Sequence, residues 1–94
     1  MSEAAAVRVL ISGRVQGVWY RGWTVETAQR IGVRGWVRNR RDGKVEALFI
    51  GATDAVDAMI AACREGPPLA RVEHIEHSAA ADDGSAGFRQ LPTA

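Results

Sequence analysis

The chain has a single cysteine, Cys63, in 94 residues, so no internal disulfide can brace it. A fold without that staple must rest on its core, and a lone thiol suits a reducing compartment. No apolar run is long enough to cross a bilayer, and the opening "MSEAAA" has neither the positive start nor the apolar core of a secretory leader. These absences point to a cytoplasmic chain that does not engage a membrane. There is no internal repeat and no linker, and a chain this short has no room for a second core. The expectation is one domain over residues 1–94, with residues 1–6 a flexible N-terminus and 78–87 a mobile loop.

What is present is ordinary for a globular domain: 47% hydrophobic and 24% charged residues, a balance that excludes overall disorder. The formal charge of +1 hides an asymmetry. Arg8, Arg14, Arg21, Arg30, Arg34, Arg38, Arg40, Arg41 and Lys44 crowd the first half, whereas most acids lie in the second. A locally basic surface suits an anionic partner, either a small phosphate compound or nucleic acid. For most of these arginines, plain solvation is the better account.

Val7, Val9 and Ile11 alternate with Arg8, Leu10 and Ser12, the period of a half-buried strand. Thr24, Ala28 and Ile31 then recur at helical spacing, and Gly32 suits the position just past a helix end. "GWVRNR" reads as a strand, Asp42-Gly43 as a hairpin turn, and "KVEALFI" as the returning strand. Thr53 fits an N-cap, and Val56, Met59, Ile60 and Cys63 form one apolar helix face that stops at "GPP". In "RVEHIEH", Val72 and Ile75 fall on opposite faces unless a bulge intervenes. A short last strand is expected around Phe88 to Leu91.

Strand, helix, hairpin, helix, strand is the order of an α+β, ferredoxin-like βαββαβ sandwich: an antiparallel sheet with two helices on one face, plus a short edge strand. In that topology the first and second strands are parallel with the third between them. Their C-terminal ends share one edge of the sheet. The loop after the first strand therefore comes close to Asn39, at the end of the second.

That loop is "GRVQGVWYR", Gly13 to Arg21. Gly17 lets the backbone curl so that successive N–H groups point inward, an anion site when a helix N-terminus follows. Arg21 would add a planar, permanently charged fork that matches phosphate oxygens. A plain chain turn with a solvated arginine fits the local pattern equally well. The loop is neither a Walker loop nor a dinucleotide fingerprint. His74 and His77 point to opposite faces of a strand, so no metal site is expected. Cys63 reads as core, the three tryptophans as packing around the sheet and loop, and Tyr20 as packing inward, with no partner evident for its hydroxyl.

Taken together, "GRVQGVWYRGWTVETA" and "GVRGWVRNRRDGKVE" resemble the two signature stretches of the acylphosphatase family almost continuously from Ser12 to Glu46. Weaker likeness continues through "GPPLARV" and Phe88. The resemblance implies hydrolysis of the carboxyl–phosphate bond of acyl phosphates to a carboxylate and inorganic phosphate, with no metal and no cofactor. It implies a phosphate-binding loop at Gln16, Gly17, Val18, Trp19 and Tyr20, an essential arginine at Arg21, and a water-orienting asparagine at Asn39. The partner would be the small-molecule acyl phosphate alone, with no nucleic acid, and the protein a monomer.

Three departures from the family pattern stand out. Tyr20 replaces a frequent phenylalanine, Arg40 replaces a threonine found in some members, and Gly22 opens the helix with a weak helix former. Two rivals remain at this point: a non-catalytic module of the same topology that binds a phosphate ligand, and one that binds RNA. Against RNA, "KVEALFIG" lacks the exposed aromatics of RNA-recognition strands.

Overall fold

The alternation read in the sequence becomes strand pairing in the computed structural model, which describes residues 4–94. The elements run β1 (Ala4–Arg14), α1 (Tyr20–Ile31), β2 (Arg34–Asn39), β3 (Val45–Ala52), α2 (Thr53–Cys63), β4 (Arg71–Ala79) and β5 (Phe88–Gln90). The sheet order is β4-β1-β3-β2-β5. Both β1 and β2 pair antiparallel with β3, and β5 adds in parallel to the outer edge of β2. This is the ferredoxin-like α+β arrangement, and the last strand makes the sheet mixed rather than wholly antiparallel.

One face of the sheet carries the core. Val9, Ile11, Val37, Val45, Ala47 and Phe49 meet Ala28 of α1 and Val56, Met59 and Cys63 of α2, all with 0% exposure. At roughly 25 cal/mol per Å² of apolar surface, burial of this cluster is the main source of stability. The other face of β3 is equally closed, although no helix lies there: Glu46, Leu48 and Ile50 are 3%, 5% and 2% exposed. Their cover comes from the neighbouring strands, where Arg38, Trp36 and Arg34 stand opposite them in turn. Glu46 is gripped from both sides, by Arg8 Nε at 2.6 Å and Arg38 Nε at 2.7 Å. Burial alone would raise the Glu46 pKa, but the hydrogen bonds from Arg38 and Arg8 outweigh it and hold the carboxyl below its usual range.

Several local expectations need correction. Residues 4–6 are strand, not a flexible end: Ala4, Ala5 and Ala6 pair with Ala52, Gly51 and Ile50, and residues 1–3 lie outside the described residues. An alanine run carries no strand signal of its own, and pairing with the end of β3 supplies the order. At the other end β4 extends to Ala79, and the rest of the 78–87 segment is tied down. Arg34 pairs with Asp82 and donates to the Ser85 carbonyl at 2.6 Å, while Trp36 Nε1 donates to Asp83 at 3.2 Å.

Thr53 is the first helical residue and Ala52 holds the N-cap position. The hairpin loop is longer than the Asp-Gly pair suggests. Arg40 N donates to the Lys44 carbonyl at 2.9 Å, which leaves Arg41, Asp42 and Gly43 as the turn, with Gly43 at φ 90°. The bulge on β4 is present: Ser12 pairs with His74 and Gly13 with Val72, so Glu73 is the extra residue. No helix among the described residues is long and apolar enough to cross a membrane.

Candidate active site

Side chains alternate along a strand, so Asn39 points to the same face as Val37, the face on which α1 packs. The C-terminal ends of β1 and β2 lie at one edge, so the loop after β1 and Asn39 meet at the start of α1. They border a recess of about 200 Å³ lined by Gln16, Gly17, Trp19, Tyr20, Arg21 and Asn39, with Val15, Gly22 and Gln90 completing it. Six of the seven residues expected from the sequence are thus brought together. The seventh, Val18, borders the loop through its backbone, and its side chain belongs to the core at 6% exposure.

The loop backbone explains the recess. Gly17 has φ 73° and Trp19 φ 66°, with Val18 on the negative side between them. Alternation in the sign of φ turns consecutive N–H groups toward one concavity. Among the described residues the amides of Gln16, Gly17, Val18 and Trp19 donate to no protein acceptor. Glycine adopts the left-handed region readily, whereas tryptophan there costs on the order of 1–3 kcal/mol. The loop holds this conformation through Gln16, whose Nε2 donates to the carbonyls of Arg40 at 2.8 Å and Lys44 at 2.9 Å.

Arg21 follows in the first turn of α1. Arg8, Arg34, Arg38 and Arg40 are each paired with a carboxylate, but Arg21 has no ion pair or side-chain hydrogen bond among the described residues. Asn39 complements it. Its buried Oδ1, an acceptor, receives no hydrogen bond from the protein. A buried polar atom left without a partner normally costs about 1–3 kcal/mol, so its placement beside a recess needs a reason. Strong donors and the Asn39 side chain therefore border one recess, an arrangement suited to an anion.

Tyr20 does pack inward, at 1% exposure, and its hydroxyl donates to the Cys63 carbonyl at the end of α2. Burial, with Cys63 adjoining, pushes the phenol far above its ordinary pKa. Burial also pushes the Cys63 thiol up to about 12, so this cysteine is an inert core residue. Arg40, the second departure, spends its side chain within the turn on Asp42, at 3.0 Å. The third departure has a steric cause. A Cβ on Gly22 would sit 2.1 Å from Trp19 Nε1, so the glycine makes room for the indole. Trp19, expected to pack around the sheet and loop, lies with its indole against Gly22 and stands 59% exposed.

His74 and His77 are exposed on the edge strand β4, away from this recess. Among the described residues no three His, Cys, Asp or Glu side chains are grouped to hold a metal ion. A second recess, of about 370 Å³, lies beside Arg38, Arg40, Arg41, Asp42 and Glu46, but there Glu46 and Asp42 neutralise two of the guanidinium groups. The larger volume is therefore the weaker anion site. Sequence reading missed the tie made by Gln16 and the lining role of Gln90. Only Gly22, a helix breaker inside a helical pattern, carried a signal of close approach.

Residues 7–90 match the family model described as acylphosphatase. The chain is 60% identical over 85 residues to an acylphosphatase of Rhodospirillum rubrum, covering 90% of this chain and 93% of that one. It is 54% identical over 92 residues to an acylphosphatase of Nitrobacter winogradskyi, covering 92% and 93%. The solved structure of an acylphosphatase from Coxiella burnetii superposes with a TM-score of 0.90 at 30% identity, over 94% of this chain and 93% of that one.

Proposed function

The chain belongs to the acylphosphatase family and hydrolyses acyl phosphates, and from that premise we propose that Arg21 and Asn39 divide the work of catalysis between them. The observation that carries the reading is the pairing of an unengaged guanidinium with an unpartnered buried acceptor across one recess. Arg21 and the amides of residues 16–19 bind the phosphoryl oxygens. The side-chain amide of Asn39 holds the attacking water in line with phosphorus.

The chemistry asks for little more. A P–O bond to water forms as the P–O bond to the acyl group breaks, and the departing electron pair stays on a carboxylate. That leaving group is a weak base, so no general acid is required. Fixed donors around the phosphoryl group supply positioning and charge stabilisation, from which most of the acceleration of such reactions comes. Arg21 provides the positive charge a metal would otherwise provide, and the reaction runs without metal or cofactor. The reading extends to a monomeric, cytoplasmic protein of one domain over residues 1–94, with the acyl phosphate as its partner.

A nucleic-acid role is the weaker alternative, because the guanidinium groups of Arg8, Arg34 and Arg38 on the open sheet face are already paired with Glu46 and Asp82. Turnover of acetyl phosphate by purified protein, with and without EDTA, tests the proposal. Equal hydrolysis in both is expected, with inorganic phosphate a competitive inhibitor. Loss of activity in EDTA that magnesium or zinc restores would overturn the metal-free mechanism. Salt-dependent retention of single-stranded RNA without turnover would favour the alternative.

A further inference from the structure

Four amide or guanidinium side chains border the recess, those of Gln16, Arg21, Asn39 and Gln90, and the last has no task in the reading above. Strand alternation calls for an apolar residue at position 90. Gln90 shares a face of β5 with Phe88, which is buried in the core, and pairs with Val37, which is 0% exposed. The apolar pattern breaks where the strand reaches the recess, and the amide that stands there is exposed. Its side chain makes no hydrogen bond among the described residues.

We propose that Gln90 is a second holder of the attacking water, acting beside Asn39. The inference rests on the reading of Asn39 above and extends it to the neighbouring strand. β5 runs parallel to β2, and Gln90 is level with Val37, two residues short of Asn39 on the same face. With strands about 4.8 Å apart and a rise of about 3.3 Å per residue, the two Cα atoms are roughly 8 Å apart. Two amide side chains that border one recess can span that distance through a single water.

The chemistry favours two holders over one. The water has two O–H groups and must turn a lone pair toward phosphorus. One amide carries one acceptor oxygen, so Asn39 satisfies at most one of those O–H groups. Gln90 Oε1 accepts the other. In-line displacement puts the water and the departing carboxylate on opposite sides of phosphorus. Because β2 and β5 are neighbours, a side chain on β5 serves the side that Asn39 serves, away from the acyl group.

The test is steady-state kinetics of the wild type, Gln90→Met, Asn39→Ala and the double variant, with acetyl phosphate and benzoyl phosphate as substrates. Methionine keeps the length of the side chain and removes its hydrogen bonding. Gln90→Met should lower kcat roughly 3- to 10-fold with both substrates, one hydrogen bond's worth. Inhibition by inorganic phosphate and the thermal midpoint should stay near the wild-type values. In the Asn39→Ala background the same substitution should change kcat less than twofold, because the two side chains act on one water. Arg89→Ala, on the other face of β5, should keep the wild-type kcat.

A kcat within twofold of wild type in Gln90→Met overturns the inference and leaves the role of Asn39 intact. A fall of equal size in both backgrounds does the same, as does an equal fall in Arg89→Ala, which would assign the effect to the strand. A loss confined to KM or to one substrate would place Gln90 on the acyl group and also overturn it. Gln90→Ala is read in the same way if methionine destabilises the strand. Full kcat in Asn39→Ala overturns the reading of Asn39 and this inference together.

Discussion

Gln16 reaches 28 residues along the chain to Lys44, its Nε2 donating to the Lys44 carbonyl at 2.9 Å while also donating to Arg40. One primary amide thus joins the loop after β1 to the hairpin that follows Asn39. Both carbonyls have a second donor, Arg40 N for Lys44 and Gly43 N for Arg40, so neither is orphaned when Gln16 is lost. Gln16→Ala should therefore cost only about 1–3 kcal/mol of stability, two hydrogen bonds' worth. Gln16→Glu should be worse at neutral pH, because an ionised carboxylate has no donor to offer two carbonyl oxygens. Thermal midpoints of both variants at pH 7 and pH 4 check this. The glutamate variant should recover part of its loss at the lower pH, and equal midpoints for wild type and Gln16→Glu would show that the tie contributes nothing.

Arg21→Lys should lower kcat/KM roughly 10²- to 10³-fold, the scale seen when one donor to a developing charge is removed. Lysine keeps the charge but loses the planar fork that meets two phosphate oxygens. Inhibition by inorganic phosphate should weaken with it. Near-normal kinetics would mean that Arg21 is a solvated surface residue.

Asn39→Ala separates binding from chemistry. Inhibition by phosphate should stay near the wild-type value, because the loop and Arg21 hold that anion, while kcat and kcat/KM fall together by about 10²-fold. Stability gives a second readout. Oδ1 has no protein partner to lose, so the thermal midpoint should drop less than the roughly 4–8 °C that 1 kcal/mol removes from a domain of this size. A variant with full kcat, or one that loses stability and no activity, would remove Asn39 from the mechanism.

Two pH dependences follow from different groups. A guanidinium stays protonated to about pH 12 and an amide does not titrate, so kcat should be flat between roughly pH 5 and 8. A steep limb in that range, abolished by replacing His74 or His77, would show a role for residues that lie away from the recess. Stability behaves differently. Glu46 is held below its usual pKa by Arg38 and Arg8, so its contribution is full above an unfolded value of about 4.3 and is lost as pH falls through the lower native value. The difference in thermal midpoint between wild type and Glu46→Gln should be largest near pH 7 and shrink below pH 4. A difference independent of pH would assign the effect to packing.

The topology and the site's location were legible because each rests on local pattern. Alternation through Val7, Val9 and Ile11, and the helical recurrence of Val56, Met59, Ile60 and Cys63, name the buried faces, and the element order then brings Asn39 to the loop. What stayed hidden depends on partners distant in sequence. Nothing beside Gln16 announces Arg40 and Lys44, and nothing in "SAAADDGSAG" announces Arg34 and Trp36. Composition makes that segment look mobile, although the acids that make it polar are the ones that anchor it. Trp19 escapes sequence reading for a related reason: apolar residues usually pack, and the backbone twist that turns this one outward has no signature in residue type.

The clasp of Arg8 and Arg38 on Glu46 lies on the sheet face opposite the recess, yet it bears on what happens there. Strands can pair one residue out of step, and such a slip sends every side chain to the wrong face. A slipped β2 would carry Asn39 away from the loop and bring Arg38 into the core. The same slip would leave the buried carboxylate of Glu46 without one of its two cations, a loss of about 3–5 kcal/mol added to that of the apolar contacts. Glu46 thus acts as a proofreader of strand alignment: a misregistered chain is rejected on the back of the sheet before it can present a defective front.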